Sequence, residues 1–192
     1  MLVGDVSTFA IESHFSGRVH FGGWPWGMFV LHVAGHRYGI YKPDWSHLGR
    51  AASDVRAILR RRGSHLAPIF PDDPAIEIAN AVRCGIYSLD RDQDVFLGRT
   101  AKQLSDVFQA AGCLWLDCDE AFDDGSRFVI LDHAARVRLI AFTHVPSTDD
   151  LPPTVREIWL DSDNFYGTLQ SWANGFEAEW AAVRQQESRL AD

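Results

Sequence analysis

Residues 113–143 read CLWLDCDEAFDDGSRFVILDHAARVRLIAFT, and the reading of this stretch decides the fold class. Three apolar runs, Cys113 to Leu116, Arg127 to Leu131 and Val137 to Thr143, are separated by Asp123-Asp124-Gly125 and by His133-Ala134, where the chain is expected to reverse. In the third run Val137, Leu139 and Ala141 alternate with Arg138, Ile140 and Phe142. One face is wholly apolar, and the other becomes apolar only toward the strand's end. With a fourth run at Val155 to Leu160, the pattern predicts an antiparallel meander.

Downstream, Phe165, Leu169, Trp172, Phe176, Trp180 and Val183 recur every three or four residues. They predict a helix from about Ser162 whose apolar stripe covers the sheet, with Asp163, Gln170, Asn174, Glu177 and Arg184 on the wet face. Upstream, Thr100 is a cap for a helix that carries Leu104, Val107, Phe108 and Ala111 and ends at Gly112. Asp73-Pro74 opens a helix running to about Tyr87. Ser53 is the expected N-cap of a further helix with Val55, Ile58 and Leu59, closed by Arg60 to Arg62 and Gly63. Nearer the N-terminus, a strand is expected at Thr8 to Phe15, then an aromatic, glycine-rich loop from Gly17 to Gly27. A hairpin follows, from Met28 to Val33 and Arg37 to Tyr41, turning at Ala34-Gly35-His36. Strand-rich stretches lie at both ends with three helices between them, and no βαβ alternation is present. That arrangement predicts an α+β fold, mainly antiparallel, in one domain spanning 1–192.

Hydrophobic residues make up 46% and charged residues 23% of the 192, a balance that suits a packed core and not disorder. No apolar run approaches the roughly 20 residues needed to cross a bilayer. The N-terminus lacks a basic region followed by an apolar one, and Cys84, Cys113 and Cys118 form no CxxC pair, so free thiols and a cytoplasmic location are expected. The net charge of −8 arises wholly from the second half, where sixteen acidic side chains face eight basic ones. An acidic chain repels phosphate backbones and suits a cationic protein partner, which argues against nucleic acid.

Asp117, Asp119, Glu120, Asp123 and Asp124 put five carboxylates within eight residues. The calcium-loop template fails there, because Ala121 and Phe122 stand where a ligand and the turn glycine belong. The eight histidines show neither HExxH nor a finger pattern, and structural or surface roles are expected for them. No GxSxG elbow and no phosphate-cradling glycine motif occurs, so neither catalytic residues nor a cofactor or metal are assigned. The carboxylates serve as a solvated turn or as a recognition surface that steers docking.

GDVSTFAIES at 4–13, EAFDDGS at 120–126, RVRLIAF at 136–142 and IWLDSDNFYGTLQSWANGFEAEW at 158–180 together resemble the immunity protein 42 family of bacterial polymorphic toxin systems. The resemblance implies a cytoplasmic protein that binds a cognate toxin and blocks it, acting by binding and not by turnover. It supplies no catalytic residues, and it does not extend to Gly17 to Trp26. The residues expected to contact such a toxin are Asp117, Asp119, Glu120, Asp123 and Asp124, whose charge suits a basic toxin, with Trp24 and Trp26 as anchors. Two other readings fit the same residues. One is a small metal-dependent hydrolase using the acidic cluster; the other is a self-associating adaptor with the aromatic loop as its interface. Monomer and homodimer are both compatible with the sequence.

Overall fold

A computed structural model describes residues 1–19, 24–115, 119–144 and 154–191, the side chains of Asp119 and of 186–191 excepted. The fold is α+β. The N-terminal sheet comprises β1 (Leu2–Gly4), β2 (Phe9–Val19), β3 (Pro25–Val33) and β4 (His36–Tyr38) in that order, with β5 (Ser46–His47) also paired to β3. Next come α1 (Leu48–Arg60), α2 (Ala75–Tyr87), a small hairpin of β6 (Val95–Phe96) and β7 (Arg99–Thr100), and α3 (Ala101–Ala110). The second sheet is the expected meander, ordered β11-β10-β9-β8, from β8 (Leu114–Trp115), β9 (Ser126–His133), β10 (Arg136–Thr143) and β11 (Thr154–Asp161). The 30-residue helix α4 (Ser162–Ala191) closes the chain.

The second sheet is the middle layer. Its Val137, Leu139 and Ala141 face join the N-terminal sheet, α1 and α4 in one core, while Val129, Leu131, Ile140 and Phe142 pack against α2 and α3. Arg138 shares that second face and is only 2% exposed. It is tolerated because Nε donates to Glu157 Oε1 at 2.8 Å and the other guanidinium nitrogens donate to the carbonyls of Phe70 and Asp73. A charge on a sheet face thereby ties down the segment that leads into α2. In α4 the predicted stripe is buried; Trp172 is fully enclosed and its indole N–H donates to Ser13 Oγ at 2.9 Å. That bond joins the last helix to β2.

Local signals hold where they act on the backbone directly. Thr100 and Gln103 form a capping box on α3. Both two-residue reversals carry positive φ, at Ala34 and Gly35 in one hairpin and at Ala134 in the other. Two expectations are corrected. Helix α1 begins at Leu48 and not at Ser53; His47 stands at its cap without a side-chain hydrogen bond, because the buried stripe Leu48, Ala51, Ala52, Val55 and Ile58 outweighs the serine signal. In the stretch from Gly17 to Gly27, residues Gly17 to Val19 and Pro25 to Gly27 are strand and not loop. β2 runs on through a register shift to pair Val19 with Pro25, and Gly17 accommodates the shift at φ +82°. Residues 20–23 of that stretch lie outside the described residues. Among the described residues no helix is long and apolar enough to cross a membrane.

Candidate functional site

The two anchor candidates stand at the start of β3. Trp24 lies against α1 at Gly49, where any Cβ would overlap its ring, yet 52% of it remains exposed. Trp26 is half-buried on the strand itself, and its ring centroid lies 3.8 Å from that of His47, its cross-strand partner on β5. The segment from Gly39 to Trp45 adds two aromatics that sequence reasoning missed, Tyr41 and Trp45, both exposed. Lys42 sits over the Trp45 ring at 4.5 Å and Arg37 over the Tyr41 ring at 4.2 Å. Tyr41 also donates to Glu12, which is paired with His32 at 3.0 Å. Burial raises the Glu12 carboxyl, but the hydrogen bonds from His32 and Tyr41 and the charge of Arg37 outweigh it and leave the group below its ordinary value.

The acidic cluster comes to the same end of the molecule through this segment. Residues Asp119–Phe122 form a short 3-10 turn, and the N–H of Ile40 donates to the carbonyl of Ala121 at 2.8 Å. Asp124 accepts from the N–H of Gly39 at 3.0 Å and of Ser126 at 2.9 Å, clamping β4 to the start of β9. Asp123 is exposed and makes no side-chain hydrogen bond among the described residues. The Glu120 side chain is half-buried, and Asp117 lies outside the described residues. The acidic turn is therefore joined to the start of residues 39–47, and Trp26 to their end through His47. Their surroundings carry both signs of charge, since Arg18 is paired with Asp44 at 3.3 Å, and Lys42 and Arg37 sit over the Trp45 and Tyr41 rings.

A second concavity, of about 560 Å³, separates the turn from Gly4 to Phe9 on one wall from Trp159 to Asp161 of β11 and the first turns of α4 on the other. Asp5 and Asp161 face it. Hydrogen bonds from Ser7 hold the Asp5 carboxyl below its usual range. A smaller cavity of about 250 Å³ lies between α1 and α3, lined by Asp54, Arg61, His65 and Trp115 among others.

Asp132, Tyr166 and His65 form a buried network. Asp132, 6% exposed, accepts from Tyr166 Oη at 2.9 Å and from the N–H of His65 at 3.0 Å. Burial lowers His65 and pushes the Cys113 thiol up to about 12, which favours its protonated form. Cys84 is likewise a buried thiol, and Cys118 lies outside the described residues. Among the described residues no three His, Cys, Asp or Glu side chains are grouped to hold a metal ion.

The sequence profile described as immunity protein 42 matches residues 1–175. The chain belongs to this family. No curated protein sequence matches the chain. In fold, this immunity protein 42 member is similar to the crystal structure of CdiI from Burkholderia dolosa, with a TM-score of 0.57 at 15% identity, over 91% of this chain and 99% of that one. At that identity the likeness is one of fold. The matched span takes in both concavities, the acidic turn and the aromatic end, and it stops within α4.

Proposed function

We propose that this protein acts in the cytoplasm as the specific inhibitor of a toxin domain encoded beside it, neutralising that domain by binding it. Membership of the immunity protein 42 family over residues 1–175 carries the reading. The surface at the start of β3 supports it physically. Trp24 and Trp26 offer rigid aromatic area of the kind that anchors interfaces, and Asp117, Asp119, Glu120, Asp123 and Asp124 supply charge that accelerates docking of a basic toxin. The neighbouring cations Arg18, Arg37 and Lys42 orient the partner, because a surface of two signs accepts a complementary one in a single register. Binding, and not turnover, is the activity.

The test is co-purification with the C-terminal domain of the adjacent secreted protein, scored with the growth of cells that express that domain alone or together with the inhibitor. A stable complex and rescued growth are expected. Absence of both refutes the proposal.

A further inference from the structure

We infer that β11 is a docking edge, along which an extended, basic segment of the toxin adds a strand to the second sheet by pairing with the backbone of Val155, Glu157 and Trp159. The inference rests on the toxin-binding reading above and names the mode of contact.

β11 ends the four-stranded sheet, and its eight residues exceed the other outer strands, β1 and β4 with three each and β8 with two. The N–H of Ser162 donates to the carbonyl of Ala135 at 2.8 Å, continuing the ladder in which Asp161 faces Arg136. Alternation along an antiparallel pair then turns the backbone groups of Thr154, Arg156, Ile158 and Leu160 toward β10. Those of Val155, Glu157 and Trp159 point away, and among the described residues no backbone group pairs with them. Long edges of this kind template the pairing of another chain unless they are covered, and strand addition is an established mode of peptide recognition.

Charge selects the occupant. The C-terminal half of the edge opens on the 560 Å³ concavity, whose walls carry Asp5 and Asp161. The hydrogen bonds from Ser7 favour the ionised form of Asp5. A strand with Lys or Arg toward one end would place that cation between the two carboxylates.

Amide hydrogen exchange resolved by residue, on the full chain with and without the purified toxin domain, tests the inference. In the free protein the amides of 155, 157 and 159 should exchange quickly and those of 156, 158 and 160 slowly. In the complex the first set should slow by roughly tenfold or more. Asp5→Asn, which keeps an acceptor for Ser7, should weaken the complex without moving the melting temperature. A complex that forms while 155, 157 and 159 stay unprotected overturns the docking edge and leaves the immunity reading standing. Protection that grows with protein concentration in the absence of toxin assigns the edge to a second copy and overturns it as well. Failure to form any complex overturns both readings.

Discussion

Asp123 and Asp124 are adjacent, chemically identical and both exposed, yet their substitution should have unequal consequences. The Asp124 carboxylate holds two backbone donors, Gly39 at 3.0 Å and Ser126 at 2.9 Å, from segments that belong to different sheets. Hydrogen bonds to a charged group contribute about 1.5–3 kcal/mol each when water is excluded. Here the acceptor is exposed and water replaces much of what is lost, so Asp124→Ala should cost about 1–2 kcal/mol in all. In a chain of 192 residues that lowers the melting temperature by about 2–8 °C. Asp123→Ala has no such bond to lose and should stay within about 0.5 kcal/mol of the parent. Urea unfolding of the three proteins, with the slope checked for constancy, measures the difference. Equal midpoints for the two variants would refute the assignment of Asp124 as a clamp. Toxin association separates the same pair in the other direction. Asp123→Lys should slow binding at low salt, and the effect should fade as salt screens the charge.

Trp172→Ala removes the largest fully buried side chain and its bond to Ser13, and should cost about 3–5 kcal/mol in urea unfolding. A loss under about 1 kcal/mol would contradict its place in the core. Gly125 sits at φ +85° with the carbonyl of His144 where a Cβ would go, so Gly125→Ala should destabilise by more than about 2 kcal/mol, and an unchanged melting midpoint would count against this turn geometry. Burial lowers His65 and His133, so the unfolded chain takes up protons at these positions before the native one does. Their contribution to stability is full above about pH 6.5 and is lost as the pH falls through the lowered native values. Unfolding free energies measured between pH 7.5 and 5.5 should show that fall, and His65→Gln should flatten it; an identical slope in the variant would exclude His65 as a source.

Patterns confined to a few neighbouring residues were legible. The alternation in 137–142, the three- and four-residue spacing in 165–183, the Thr100 cap and the Ala34-Gly35 turn report backbone geometry within one or two turns of chain, and each element formed where expected. Signals failed where burial competed with them. Ser53 is a good cap residue, but Leu48 and Ala51 had apolar surface to bury, and the helix extended to include them. The ends of the loop expected between Gly17 and Gly27 are strand instead, because cross-strand pairing with Pro25 to Gly27 carried β2 forward.

The candidate contact residues were visible as composition, and their grouping was not. That residues 39–47 lie against the acidic turn depends on Gly39 and Ile40 bonding to it, some eighty residues away in sequence, between Ala121 and Asp124. Tyr41 and Trp45 carried no motif, and their exposure follows from how residues 39–47 cross the sheet edge. Strand order was hidden for the same reason. Residue type and spacing decide whether a segment becomes helix or strand, through dihedral preference and the side on which apolar groups fall. Which strand is left at an edge, and which carboxylates meet across a cleft, is decided by contacts between distant segments, whose energies depend on shape and burial that no local stretch encodes.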